Sequence, residues 1–319
     1  MSGAITSNKA PVYAPPQPDI LSLLCEPAML QHSQIPPGSW DSHMHVFDVE
    51  RYPLLAKALY APKPYTVADA ITFEASMGLD GVVIVQPSGY GNDNSCLLDA
   101  LRQLGPRNAR GVVGFDPATT SPETLREWHG LGIRGVRVNL RSIEWSPTEA
   151  ELTSVLRAYA DLIRPLNWVL QIYVPLPTVK TLEKIIPELG IRFCIDHIGH
   201  PPLNESGLQY AQTRNPYDLD GFASLIRLLQ GGQTYVKLSA AYRFSQATDY
   251  EDVAPIAKEV LRVAGRSHVV FATDWPHSRY EGLDISPWVQ KVLEWCNDDR
   301  SLVERVFRDN ARDLWDIRD

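Results

Sequence analysis

The chain has 319 residues, 44% of them hydrophobic and 21% charged, with a formal net charge of −8. That is a globular composition, and its acidity argues against nucleic-acid or anionic-membrane partners while leaving room for a small anionic ligand in a locally basic pocket. No apolar run approaches the ~20 residues of a membrane span, no basic-then-apolar leader opens the chain, and four scattered cysteines without a CxxC pair offer no zinc or disulfide framework. A reduced, cytoplasmic protein is expected.

Residues 1–36 stand apart. They carry Pro11, Pro15, Pro16, Pro18, Pro27 and Pro36 and read as an irregular arm, with one helix-like patch from Ile20 to Leu24. From residue 37 onward apolar runs alternate with amphipathic ones. The runs 39–47, 81–87, 110–116, 133–140, 167–174, 191–198, 234–239 and 268–274 are rich in Val and Ile and apolar at most positions, as strands covered on both faces must be. Helix-like segments lie between them at 67–77, 94–104, 121–131, 148–164, 178–188, 218–231, 252–264 and 286–297, and a last helix is expected over 300–315. Ser121-Pro122-Glu123 places a cap, a first-turn Pro and an acid in order. Eight such units over residues 37–319 predict an α/β fold, a single (β/α)8 TIM barrel. An open doubly wound sheet is the alternative, but no GxGxxG follows the first strand.

Titratable residues gather where these strands end. In Asp41-Ser42-His43-Met44-His45 the alternation of a strand turns both histidines to one side. Such a pair serves either as metal ligands or as catalytic donors. Asp196-His197 ends the sixth strand, with His200 three residues on, and Asp274 ends the eighth. In a closed barrel the eighth strand neighbours the first, so these groups can meet at the C-terminal face, where barrel active sites lie.

Taken together, Asp41-Ser42-His43-Met44-His45, Asp196-His197-Ile198-Gly199-His200-Pro201, Thr273-Asp274-Trp275-Pro276-His277 and Asn310-Ala311-Arg312-Asp313-Leu314-Trp315 resemble the amidohydrolase superfamily, in its family 2 branch. Gln86 to Asn94, Gly135-Val136-Arg137-Val138-Asn139 and Lys237-Leu238-Ser239 to Arg243 are most similar to its lactone-acting members, the pyrone-dicarboxylate and sugar-lactone hydrolases and isomerases. The resemblance implies a hydrolase that opens a carboxylate-bearing lactone, with Asp274 as general base toward water. His43, His45 and His197 would donate to the carbonyl oxygen as it gains charge. Ser88, Arg137, Arg141, Tyr173 and Arg243 would bind a small anionic substrate, the arginines by forked hydrogen bonds to carboxylate. Gly89 and Gly91 would let the loop after the second strand approach a ligand, and Tyr52, Tyr60 and Tyr65 would either form a lid or pack. The related lactonase carries a further arginine where this chain has Ile143.

Metal-dependent members carry a histidine at the end of the fifth strand. Here Tyr173 stands in that place, and a neutral phenol is a poor zinc ligand. No cofactor is therefore expected. The alternative is a divalent ion such as zinc on His43, His45 and Asp274, which would suit an aromatic-acid decarboxylase. A sugar-acid lactone isomerase is a further reading, and a catalytically dead barrel acting as a binding protein is the non-enzymatic one. The sequence leaves the oligomeric state open.

Overall fold

The computed structural model describes residues 34–141, 146–203, 210 and 212–318. The arm up to residue 33, with its patch at Ile20–Leu24, and the position of Ile143 lie outside them. Eight parallel strands run in chain order: β1 (Trp40–Met44), β2 (Gly81–Val85), β3 (Ala109–Val113), β4 (Ile133–Asn139), β5 (Val169–Tyr173), β6 (Arg192–Ile195), β7 (Thr234–Leu238) and β8 (Val269–Phe271). Each pairs with the next. The seam between first and last is drawn shut just beyond the regular ladders. Asp274 N–H donates to His43 O at 2.9 Å and His45 N–H to Trp275 O at 2.8 Å. This is the closed barrel expected from the alternation.

Helices α1 (Val67–Met77), α2 (Ser95–Leu104), α3 (Pro122–Gly130), α4 (Glu149–Ile163), α5 (Val179–Leu189), α6 (Phe222–Gln230), α7 (Ala254–Ala264) and α8 (Ser286–Trp295) cover the outside. Their starts are chemically marked. Thr66 with Asp69, and Thr148 with Glu151, form reciprocal capping boxes, and Ser121 caps α3 ahead of Pro122. The last helix departs from the expected unbroken 300–315. It divides into α9 (Arg300–Glu304), a wide π turn Arg305–Asp309, and α10 (Asn310–Trp315). The wide turn brings Phe307 onto Phe271 of β8 at 4.4 Å between ring centroids. Just after it, Asn310 donates to the carbonyls of Gly265 and Val269, both at 2.8 Å.

Two packed regions result. The larger lies between strands and helices. The smaller fills the barrel with Val83, Val85, Val112, Val169, Cys194, Tyr235 and Val270, closed below by Trp315. Strand alternation then decides the layer above it. Two residues beyond Val169, Cys194 and Tyr235 come Gln171, Asp196 and Lys237, so these polar groups point into the barrel. β1 carries a register irregularity between Asp41 and Met44. It allows Trp40 and His43, an odd number of residues apart, both to reach the interior.

Candidate active site

The interior layer is polar and closed to solvent: His43, Gln171, Asp196 and Lys237 are each 0% exposed. Lys237 Nζ donates to Gln171 Oε1 at 2.7 Å, and Gln171 Nε2 donates to Asp196 Oδ2 at 3.0 Å. Lys237 Nζ also lies 3.2 Å from His43 Nδ1 and 3.3 Å from Asp196 Oδ1. Burial works against an ionised Asp196, but the Lys237 ammonium outweighs it and holds the carboxyl well below its ordinary range.

Above this layer four groups converge. Asp274 Oδ1 lies 3.6 Å from His43 Nε2, 3.7 Å from His45 Nε2 and 3.9 Å from His197 Nε2. The two histidines of the first strand do face one another, with their Nε2 atoms 3.3 Å apart. His45 Nδ1 donates to Val85 O at 2.7 Å, because a carbonyl only accepts. A neutral His45 therefore presents a lone pair at Nε2, not the N–H expected from sequence. His197 Nδ1 meets the Ser239 hydroxyl at 2.8 Å, a partner that can donate or accept. Burial lowers all three imidazoles: His45 to about 3, helped by Arg137, His197 to about 4, and His43 well below its usual value, helped by Lys237. All three are neutral at pH 7.

Asp274 has two distinct oxygens. Oδ2 accepts from Arg243 Nε at 2.8 Å and from the Tyr242 hydroxyl at 2.6 Å, while Oδ1 faces the histidines. Burial would raise its pKa, yet Arg243, then His197, His43 and His45, hold it well below the carboxylate range. Asp274 sits at φ 61, and His197, Ile198 and His200 at 54, 56 and 45. Such left-handed backbone in non-glycine residues costs about 1–3 kcal/mol each and clusters where geometry is held for a purpose.

His45, His197 and Asp274 line the floor of a cavity of about 330 Å³, with His43 fully buried behind them, and its wall includes Tyr60, Ser88, Arg137, Arg141, Tyr173, His200, Arg243, Ser278, Arg279 and Tyr280. A neighbouring cavity of about 280 Å³ shares Ser88 and Arg137 with it. The structure thus brings together the residues named as catalytic, His43, His45, His197 and Asp274, with those named for substrate binding, Ser88, Arg137, Arg141, Tyr173 and Arg243. Their roles are redistributed. Arg137 donates to Gln86 O at 3.0 Å and approaches Asp196 at 3.8 Å. Arg243 spends its Nε on Asp274. Tyr173, raised to about 12 by burial, bonds His200 Nδ1 at 2.9 Å, and Arg141 reaches the other nitrogen of that ring at 3.4 Å. Gly91, at φ 53, faces Leu55 rather than the cavity; a Cβ there would fall 2.7 Å from Leu55 Cδ1. Tyr60 reaches the cavity wall, whereas Tyr52 and Tyr65 pack against the core.

Four further contributors carry no strand-end signature. Lys237 and Gln171 sit mid-strand, and their one clue is a polar residue in an apolar run. Tyr242 sits in the 3-10 turn Ala241–Arg243 and Arg279 in an irregular loop. Arg279 lies over the Tyr60 ring at 4.7 Å, and both line the cavity.

A family model described as Amidohydrolase matches residues 40–317. The chain is 30% identical over 250 residues to a 4-sulfomuconolactone hydrolase of Hydrogenophaga intermedia, covering 77% of each chain. It is 27% identical over 257 residues to a 2-pyrone-4,6-dicarboxylate hydrolase of Comamonas testosteroni, covering 76% of this chain and 78% of that one. A crystal structure from Pseudomonas putida, named as a candidate 2-pyrone-4,6-dicarboxylic acid hydrolase, superposes with a TM-score of 0.72 at 26% identity, covering 89% of this chain and 99% of that one.

Proposed function

The chain belongs to the amidohydrolase family, and from that premise we propose that it hydrolyses a lactone bearing one or more anionic groups, without a metal, using Asp274 to activate water. The observation that carries this reading is the meeting of Asp274 Oδ1 with three neutral imidazoles, of which His45 and His197 line an arginine-walled cavity. The two named relatives act, by their names, on lactones that carry sulfonate or carboxylate groups.

Substrate would enter with its anionic groups toward Arg137, Arg141 and Arg279. Its carbonyl would lie over His43 and His197. Water held by Asp274 Oδ1 attacks the carbonyl carbon and gives its proton to the carboxylate. The carbonyl oxygen gains charge and draws hydrogen bonds from the imidazole N–H groups. The ring C–O bond then breaks, and the leaving oxygen takes the proton held on Asp274, which returns the carboxylate and completes the ring-opened acid. Arg243 and Tyr242 fix Asp274 in place and keep it ionised, at the cost of making it a weak base. A weak base suits an activated ester better than an amide, which agrees with a lactone.

His43, His197 and Asp274 offer ligand atoms within 4.8 Å of one another, so an ion on this set deserves a direct test. The fit is poor at two points. Tyr173 is a neutral phenol tied to His200, and His43 is backed by a cation. No step is assigned to a metal.

Assay of the purified enzyme on carboxylated and uncharged lactones in heavy-oxygen water tests the reaction type. Hydrolysis places one heavy oxygen in the new carboxyl of the product. Conversion of a sugar-acid lactone without incorporation would establish the isomerase instead.

A further inference from the structure

Lys237 is buried at the centre of the interior layer, beneath the site and 5.3 Å above the Trp315 ring. An ammonium so placed must be hydrogen-bonded and paired. Its Nζ reaches Gln171, Asp196 and the Nδ1 of His43. An ammonium has donors and no acceptor. In the 3.2 Å contact, therefore, His43 Nδ1 accepts and is bare.

The far side of the ring gives the same answer independently. His45 donates its Nδ1–H to Val85 O and so presents a bare Nε2 to His43 Nε2 at 3.3 Å. Two bare nitrogens at that separation would repel, so His43 must carry its hydrogen on Nε2. Asp196 Oδ1, 3.3 Å from His43 Nδ1, is the competing partner that would favour the other tautomer. That oxygen is also paired with Lys237 Nζ, 3.3 Å away, so the lysine stands between the carboxylate and the ring nitrogen as a partner to both.

Building on the lactone-opening reading above, we infer that Lys237 is a positioning residue that fixes His43 as the Nε2–H tautomer, making it a donor toward the substrate carbonyl and unfit to ligate a metal. A ligating imidazole needs the opposite arrangement. It turns a lone pair to the ion and donates its other N–H to a carboxylate or carbonyl. His45 has that arrangement and His43 does not. The same lysine adds a fixed positive charge behind His43, on the side away from the cavity. With Lys237 removed, Asp196 Oδ1 becomes the natural partner for Nδ1, and the tautomer reverses. His43 Nε2, His45 Nε2 and Asp274 Oδ1 would then all face one point with lone pairs.

The test reads the ring directly. Histidine labelled at its ring nitrogens, in the full chain, distinguishes bare from protonated nitrogen by NMR, with the His43 signals assigned through His43→Gln. The expected result is a bare Nδ1 and protonated Nε2 in the unmodified protein, and the reverse in Lys237→Met. Zn²⁺ titrated calorimetrically should bind Lys237→Met at least ~10-fold more tightly, and kcat on a lactone should fall by about 10- to 100-fold with little change in KM. A protonated Nδ1 in the unmodified protein, or one tautomer in both proteins, overturns the inference. So does unchanged zinc affinity in a folded variant. Should Lys237→Met fail to fold, the unmodified protein alone decides. Failure of the lactone reading would look different: the tautomers as stated, with no lactone turned over.

Discussion

Replacing Asp274 with Asn probes the site most sharply, because the two carboxylate oxygens have different duties. Oδ2 accepts from Arg243 and Tyr242, and Oδ1 faces the histidines. An amide has one acceptor and one donor end. Two donors at the Oδ2 position force the amide oxygen there, so the NH2 group must take the place of Oδ1. A donor then stands where the water's proton should go, and base catalysis is lost rather than weakened. We predict a fall in kcat of at least ~10², the usual scale of a general base. The stability cost is separate. The Tyr242 bond becomes neutral and the Arg243 bond loses its anionic acceptor, each a loss of roughly 1 kcal/mol, about 2 kcal/mol in total. A domain with ~5–15 kcal/mol of stability survives that. The assay is kcat on a responsive lactone, with the circular dichroism spectrum and Tm measured on the same sample. Turnover within a few-fold of the unmodified enzyme, from a folded Asn variant, would remove Asp274 as the base.

Arg243 holds the Asp274 pKa down against burial, so Arg243→Leu should move the acid limb of kcat/KM to higher pH; an unmoved limb would mean that another group controls it. Arg137→Met and Arg279→Met should each weaken a carboxylated lactone by about 1.5–3 kcal/mol and an uncharged one much less, by comparison of KM or inhibitor Kd. Glu74, packed against Asp41, has its carboxyl raised well above the usual carboxylate range by burial and by Asp41. A raised acid holds its proton in the fold but loses it when unfolded, so stability declines as pH rises above ~4.3 toward the folded pKa. Glu74→Gln, which mimics the protonated form, should raise Tm at pH 8 more than at pH 5; an equal change at both would place the ionisation elsewhere.

Strand ends were the legible part of this site. His43, His45, His197 and Asp274 stand where an apolar run stops, and the closure of β8 on β1 follows from counting strands. Lys237 and Gln171 were less legible for a physical reason. In a strand covered on both faces the alternation has no polar side to show which way a residue points. Only the barrel's inner layer, with Val169 and Tyr235 below them, reveals that they face inward. The sequence suggests Arg243 as a carboxylate clamp because its partner Asp274 stands at the end of the next strand, 31 positions on, out of reach of any local pattern. Arg279 belongs to an irregular loop and Tyr242 to a three-residue 3-10 turn, both too short to show a period. The hydrogen on His45 depends on the Val85 carbonyl, a backbone partner 40 residues away that no side-chain pattern encodes. The π turn at Arg305–Asp309 leaves no mark in the 3.6-residue rhythm of the last helix.

A carboxylate and neutral imidazoles that open the lactone without a metal should work in exhaustively chelated enzyme. Metal content and ring-opening rate on an anionic lactone, measured on one such sample, decide this. A full rate is expected at a metal content far below one equivalent per chain, with no gain when Zn²⁺ or Mn²⁺ is restored. Activity that disappears with the metal and returns with it would instead make His43, His45 and Asp274 ligands.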